Sequence, residues 1–300
     1  AEIRKEFVVA QLAKGNRNLV KNLLEKETLS GDSALILAYC DAVLGEDYHR
    51  LHGKKFAVKK ETEKAEALLH DVLLNDPSNV YARMLLAETM IHQGKTEKAF
   101  EFLSNLLGDP DVQSSNWLSR IQAGFAWVAA FLEKFDLALG AAQSVVEMNP
   151  DWAGATQTLA EIDATSGEIS DAVSAAETVL EIAPDVIESI EWFAEFMNGL
   201  DKADEAEKTL AEFAEKRSDK TAFLLKLAEY KLERNEKEAA GDIVSEIKLS
   251  SGKIKNAELV RTAKVFNRLG DKTFSIECLT KRLDNPETSA QNAMIDLAGF

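Results

Sequence analysis

Apolar residues recur along most of the chain at the three- and four-residue spacing of one helix face. The run through Val80, Met84 and Ile91 follows this period. A short polar break follows each such run, as at Gln93-Gly94-Lys95, where glycine suits the positive φ of a helix end. The pattern predicts helices that alternate with short turns, and therefore an all-α fold.

The helical runs repeat. A Leu-Ala-Glu or Phe-Ala-Glu tripeptide marks alternate helices at residues 86–88, 159–161, 193–195 and 227–229, and the last three are 34 residues apart. Residues 125–127, Phe-Ala-Trp, are a variant fifth member. The helix that follows each of the five carries a small residue at a constant offset, at Ala99, Ala138, Ala172, Ala206 and Ala240. A small residue there lets two helix backbones approach closely, so the sequence predicts a series of helical hairpins.

Prolines follow the same period. Average usage of about 5% would give roughly fifteen, whereas the chain has five: Pro77, Pro110, Pro150, Pro184 and Pro286. Because proline interrupts helices, we predict that each one closes the second helix of a hairpin.

A 34-residue period, Leu-Ala in the first helix, glycine at the turn, alanine in the second helix and proline at the end resemble the tetratricopeptide repeat. The resemblance implies a right-handed superhelical solenoid of antiparallel helix pairs. It departs from the family pattern at the fourth position, which has Arg83, Gln122, Thr156, Ile190 and Leu224 in place of tryptophan. Six repeats are expected, at residues 80–118, 119–152, 153–186, 187–220, 221–255 and 256–288.

Three segments depart from this register. Residues 1–79 are predicted to form degenerate helical hairpins, which a basic insertion at residues 46–61 interrupts. Residues 113–118 are predicted to form a second, shorter insertion. Residues 289–300 resemble the first helix of an incomplete further repeat, so we expect the chain to be a fragment of a longer protein.

Charge narrows the choice of partner. The chain has 51 acidic and 35 basic residues and a net charge of −16, which disfavours nucleic acid and anionic lipid. No apolar stretch approaches the roughly 20 residues needed to span a bilayer. The two cysteines are far apart in sequence and predict packed thiols. We expect a cytoplasmic chain, with a mature secreted or periplasmic chain as the alternative.

No sequence motif indicates catalysis. Gly94-Lys95-Thr96 lacks the preceding glycine and strand of a phosphate-binding loop. The four histidines lie between residues 49 and 92, but their spacing does not supply the three or four ligands of a zinc site. We therefore predict a non-enzyme without a metal or cofactor.

The resemblance implies that positions two, five, nine and twelve of each first helix line a concave groove. The groove residues selected on this basis are Tyr81, Met84, Glu88, Trp127, Gln157, Glu161, Glu191, Glu195 and Glu229. The ninth position is glutamate in four of five units, which predicts an acidic ladder that binds a basic segment, with Trp127 as an apolar anchor.

Two alternatives remain open at this stage. The chain is a structural module that self-associates through its end helices, or an adaptor for anions or nucleic acid. The adaptor would work through the basic residues of the insertion, Arg50, Lys54, Lys55, Lys59 and Lys60.

Overall fold

The described part of the chain is helical throughout. The computed structural model describes residues 2–14, 16–25, 29, 32–44, 59–249 and 254–284, and no strand occurs in these ranges. Antiparallel helices pack in successive pairs, so the predicted all-α solenoid class is confirmed. The chain divides into two compact units, residues 1–182 and residues 183–300.

The first unit contains five helix pairs and one short extra helix among its described residues. Its helices are α1 Glu2–Ala13, α2 Arg17–Leu24, α3 Ser33–Leu44, α4 Lys59–Asn75, α5 Val80–His92, α6 Thr96–Leu107, α7 Pro110–Gln113, α8 Leu118–Phe131, α9 Phe135–Met148, α10 Ala153–Ser166 and α11 Ile169–Ile182.

The second unit contains three helix pairs among its described residues. Its helices are α12 Ile187–Gly199, α13 Ala203–Glu215, α14 Thr221–Glu233, α15 Lys237–Leu249, α16 Leu259–Leu269 and α17 Lys272–Asp284, with a 3-10 turn at Asn256–Glu258.

The first helices of successive pairs lie side by side in each unit. In the first unit α1, α3, α5, α8 and α10 pack in this order, and in the second unit α12, α14 and α16 do so. Within each unit, the second helix of a pair also packs on the first helix of the next pair. A first helix therefore has neighbours on several sides, which explains why α3 is buried without interruption from Ile36 to Leu44. We call the row of first helices the first-helix face.

The turn inside each regular pair has one residue with a positive φ. These residues are Gly94, Glu133, Gly167, Asp201, Asn235 and Gly270. Their spacing reproduces the repeat of the sequence, because each left-handed residue redirects the chain after a first helix. Only half of them are glycine, whereas the sequence pattern favoured glycine at the turn.

Small residues hold the paired helices together. Ala99, Ala138, Ala172, Ala206 and Ala240 are all fully buried. Four prolines follow the second helices α4, α6, α9 and α11, and the fifth, Pro286, lies outside the described residues.

The structure describes the two predicted insertions, at residues 46–61 and 113–118, to different extents. The short one begins at Gln113, the last residue of α7, and continues through a turn that ends at Trp117. The basic one was expected to reach Glu61, but α4 already begins at Lys59, where the exposed Lys59 pairs with Glu63 one turn later. The rest of the basic insertion and the expected incomplete repeat at residues 289–300 lie outside the described residues.

Candidate functional site

The nine predicted groove residues all lie on first helices, but most are not open to solvent. Met84, Glu88, Trp127, Gln157 and Glu161 are buried, Tyr81, Glu191 and Glu229 are partly buried, and Glu195 is exposed. The reason is the close side-by-side packing of the first helices, which covers the ninth position of several units.

Two of the ninth-position glutamates have an arginine partner on the next first helix. In the first unit Arg120 of α8 donates to both carboxylate oxygens of Glu88 on α5, at 2.7 and 2.8 Å. In the second unit Arg261 of α16 does the same to Glu229 on α14, at 2.8 and 2.7 Å. Arg120 is the second residue of the repeat at 119–152 and Arg261 is the sixth residue of the repeat at 256–288, so the two arginines come from places one helical turn apart.

These pairs neutralise two of the four glutamates of the expected acidic ladder. Burial opposes the ionisation of Glu229, but the hydrogen bonds and charge of Arg261 outweigh it and hold the pKa of this carboxyl below its usual value. Glu161 is buried, so Glu195 is the one ninth-position glutamate of the described repeats that is exposed. A continuous acidic ladder is therefore absent from the described first-helix faces.

The predicted aromatic anchor is also covered. Trp127 is only 3% exposed and stacks on Phe131 one turn later, with ring centroids 5.6 Å apart. Phe131 is 61% exposed. The accessible aromatic side chain on α8 is therefore Phe131, which the positional rule did not select.

An open cavity of about 520 Å³ lies on the first-helix face of the first unit. Apolar side chains of α1 and α3 form its walls, and polar side chains form its floor. The walls are Val9, Leu12, Ala13, Ala34, Leu37 and Ala38, and the remaining lining residues are Arg17, Asp41, Tyr81, Trp117 and Arg120.

Asp41 is the centre of the polar floor. The Tyr81 hydroxyl donates to one of its oxygens, Arg120 donates to the other at 3.1 Å, and the Arg17 guanidinium lies 3.8 Å away. Because Arg120 also binds Glu88, these ionic contacts join α2, α3, α5 and α8. The side chains of Asp41, Arg120 and Glu88 are almost completely buried.

An aromatic pair lines the same cavity. The rings of Tyr81 and Trp117 are parallel within 2° and their centroids are 4.1 Å apart. Burial, followed by the charge of Asp41 and the hydrogen bond to it, raises the pKa of the Tyr81 hydroxyl above its usual range. Tyr81 therefore stays protonated and donates to Asp41.

The sequence model of the tetratricopeptide-repeat family matches residues 59–117, from the start of α4 through α5, α6 and α7 to Trp117. The matched part of the chain therefore carries the tetratricopeptide-repeat pattern. The resemblance inferred from the sequence is confirmed, and the matched range starts upstream of Val80, where the first of the six repeats was expected.

Three solved structures illustrate the similarity. The crystal structure of MamA is 23% identical, with a TM-score of 0.41, and the match covers 53% of this chain and 90% of that one. TTC0263, a tetratricopeptide-repeat protein of Thermus thermophilus, is 18% identical, with a TM-score of 0.43 and coverages of 58% and 92%.

The third structure is the APC/C hetero-tetramer Cut9-Hcn1. It is 16% identical, with a TM-score of 0.43, and the match covers 93% of this chain and 52% of that one. No curated protein matches the sequence.

The position of Asp41 along its helix relates the cavity floor to the predicted groove residues. Asp41 is the ninth residue of α3, which is the place that Glu88 has in α5 and Glu229 has in α14. The Leu-Ala pair at residues 37–38 would place Tyr39 there instead, so extending the repeat pattern in the sequence would have missed Asp41. Nothing in the sequence marked Arg17 or Trp117, because both reach the cavity from outside the regular first helices.

The other predicted sites are only partly described. Lys59 and Lys60 are exposed at the start of α4, while Arg50, Lys54 and Lys55 lie outside the described residues. No cluster of three or more His, Cys, Asp or Glu side chains within the described ranges has the geometry to hold a metal ion. None of the described helices combines the length and apolarity required to cross a membrane.

Proposed function

We propose that this tetratricopeptide-repeat chain is a non-catalytic scaffold that binds a segment of another protein on its first-helix face. The repeat fold suggests a protein-interaction scaffold. The observation that carries the more specific proposal is the cavity of about 520 Å³ between α1, α3, α5 and α8. Its size is within the range of ligand pockets, and it combines apolar walls with a few convergent polar groups.

Blocking this cavity tests the proposal. Ala34 lines the cavity and is partly exposed, so Ala34→Trp fills the space with an indole without removing a buried contact. Ala10 on α1 is exposed and does not line the cavity, so Ala10→Trp is the matched control. We expect the intact chain and the Ala10→Trp variant to capture the same partners in affinity purification, and Ala34→Trp to lose at least one. Identical partner sets for all three proteins would contradict binding in the cavity.

A basic segment is the proposed partner of the second unit. Glu188, Glu191 and Glu195 lie on one face of α12 at helical spacing, where Glu188 and Glu195 are exposed and the Glu191 side chain is 46% exposed. Although Glu191 lies 3.4 Å from Arg261, the three carboxylates outnumber this one cation. Complementary charge favours association with a lysine- or arginine-rich segment.

Charge reversal on α12 tests the basic partner. We expect Glu188→Lys combined with Glu195→Lys to abolish capture of a basic partner at low salt. The matched control is Glu215→Lys, at an exposed position on the second helix α13. Capture that survives the double reversal would show that α12 is not the binding face.

Self-association through an end helix is a second candidate function. Leu19 and Leu23 are exposed one turn apart on α2, and Phe7 is exposed on α1. Apolar side chains at this spacing favour contact with another apolar helix. Light scattering should show mass that rises with concentration, and Leu19→Lys with Leu23→Lys should remove the rise, while Leu74→Lys at another exposed leucine should not. A constant monomer mass would exclude this function.

A further inference from the structure

The junctions between helix pairs inside each unit indicate how two copies of the chain can meet. We propose that α17 of one chain packs on α1 of a second copy, in the way that a second helix packs on the next first helix inside a unit. This inference rests on the self-association proposed above and names the two faces that meet. It makes the contact head-to-tail, between unlike helices.

One position of the second helix contacts the next first helix at these junctions. It is the residue directly after the small residue of each second helix. In α6 this residue is Phe100, and its ring stacks on Phe125 of α8 with the centroids 5.2 Å apart. In α13 it is Glu207, which forms an ion pair of 2.7 Å with Lys231 of α14. The same position therefore serves as a junction residue in both units.

The junction position of α17 is exposed. It is Ile276, which follows the buried Ser275 and is 63% exposed. Leu283 lies seven residues later on the same helix face and is 46% exposed. The counterparts of Leu283 in earlier second helices are buried or partly buried, at Leu107, Val146, Leu180 and Ala214. No first helix follows α17 in the part of the chain that the structure describes, so α17 presents an uncovered apolar face.

The first helix contributes one apolar residue to each junction. This residue precedes the alanine that lies seven residues before the left-handed turn residue. Phe125, which stacks on Phe100, is only 9% exposed. Its counterparts are also buried or partly buried, at Leu86, Leu159 and Leu227. Inside a unit, this position of the first helix is therefore covered.

The corresponding residue of α1 is uncovered. Val8 precedes Gly15 by seven residues and is fully buried, so it has the place of those alanines. Phe7 directly before it is 48% exposed, although its counterparts are covered. Among the described helices, none precedes α1. α1 therefore lacks the kind of neighbour that α17 can supply.

A second copy supplies both missing neighbours in one contact. Ile276 of one chain would meet Phe7 of the other, as Phe100 meets Phe125 inside the first unit. A segment of the same chain placed at either helix would leave the other helix uncovered. Burying the two apolar side chains removes their surface from water, which favours association. Because the two faces differ, the contact is heterologous.

Mixing two variants tests the head-to-tail contact. Phe7→Lys and Ile276→Lys each place a charge in the contact, at positions that are exposed in the single chain. We expect light scattering of the intact chain to show a mass that rises with concentration, and each variant alone to keep the mass of one chain. An equimolar mixture should form dimers, because each variant retains the face that the other has lost. Leu74→Lys, at an exposed leucine of α4, is the matched control and should associate like the intact chain.

Thiol cross-linking detects the same contact without a disruptive charge. Cys40 and Cys278 are buried, so a bismaleimide should react mainly at a cysteine introduced at an exposed position. We expect Phe7→Cys mixed with Ile276→Cys to give at least about fivefold more cross-linked dimer than either variant alone, because a head-to-tail contact brings unlike positions together. Circular dichroism checks that each variant folds.

The outcomes separate the head-to-tail contact from self-association as such. Association that survives Ile276→Lys, a mixture that stays monomeric, or equal cross-linking of Phe7→Cys with itself would each overturn the head-to-tail contact. If Leu19→Lys with Leu23→Lys still removed the rise in mass, self-association through α2 would stand. An Ile276→Lys chain that associates normally but unfolds more easily would show that α17 is covered within its own chain, which also overturns the inference. A constant monomer mass of the intact chain would exclude both.

Discussion

At the scale of single residues, Arg120 connects several helices of the first unit. It binds Asp41 on α3 and Glu88 on α5 from its place on α8, so one side chain connects three consecutive first helices. The planar guanidinium suits this role, because it donates two parallel hydrogen bonds to one carboxylate and a further bond to another.

Removing Arg120 should destabilise the first unit strongly. Arg120→Ala leaves two buried carboxylates without this partner, and breaking a buried ionic network typically costs about 3 to 5 kcal/mol. Urea unfolding followed by circular dichroism measures the loss. The control Lys59→Ala removes an exposed pair with Glu63 and should cost less than about 0.5 kcal/mol. A change below about 1 kcal/mol for Arg120→Ala would contradict the role of the network.

The buried carboxyl group of Asp163 should make the stability of the folded chain depend on pH. Burial, with smaller contributions from the charges of Asp171 and Glu168, raises the pKa of this carboxyl to about 6. Because the folded pKa is above the unfolded value of 3.8, the folded chain binds the proton more tightly. This contribution to stability is complete below about pH 4 and is lost as the pH rises through about 6.

Replacing Asp163 with asparagine should therefore stabilise the chain at neutral pH. We expect Asp163→Asn to raise the free energy of unfolding at pH 7.5 by up to about 3 kcal/mol, since each pKa unit corresponds to about 1.4 kcal/mol. The advantage should fall toward pH 4. Denaturant melts at several pH values test this, with Glu147→Gln at an exposed position as the control. An advantage that does not change with pH would show that Asp163 does not titrate in this way.

At the scale of elements, the backbone conformation of the hairpin turns is more regular than their amino-acid sequence. The left-handed residue of the turn after α8 is Glu133, with φ of 58°, and the equivalent residue after α5 is Gly94. A left-handed residue with a side chain has a conformational cost of about 1 to 2 kcal/mol that glycine avoids. The turn is retained because the packed helices on both sides determine its path.

Changing this turn residue should reveal the stored strain. We expect Glu133→Gly to raise stability by about 0.5 to 1 kcal/mol, because relief of the strain exceeds the entropy that glycine loses on folding. Glu101→Gly, in the exposed interior of α6, should lower stability by a similar amount. Thermal unfolding compares the two variants. Destabilisation by both would show that the conformation at Glu133 is not strained.

At the scale of the whole molecule, contacts connect each helix pair mainly with its neighbours. In the second unit Arg261 binds Glu229 on α14 and lies near Glu191 on α12, while Arg120 and its partners all belong to the first unit. A repeat array of this kind loses stability locally when one interface is weakened.

Hydrogen exchange should show this locality. We expect Arg261→Ala to accelerate amide exchange in α12, α14 and α16 by about tenfold or more, and to leave exchange in α3, α5 and α8 within about twofold of the wild type. Arg120→Ala should produce the reverse pattern. Mass spectrometry of peptic fragments resolves these helices. Uniform acceleration throughout the described residues after either change would indicate a single cooperative unit.

The sequence by itself determined the helical class, the positions of the regular helix pairs and the small residues between them. These features depend on local spacing, because apolar residues at helical periods and buried alanines such as Ala172 act within one hairpin. The family resemblance followed from the same spacing.

The charge and accessibility of the first-helix face were decided only by the tertiary structure. Glu88 contacts Arg120, which is 32 residues away in sequence, and Asp41 contacts the same arginine across a separation of 79 residues. These side chains come into contact only when the first helices pack side by side. Stacking also buries Trp127 and leaves Phe131 exposed. Periodicity predicts which residues share a face, whereas the packing of neighbouring helices determines which of them a partner can reach.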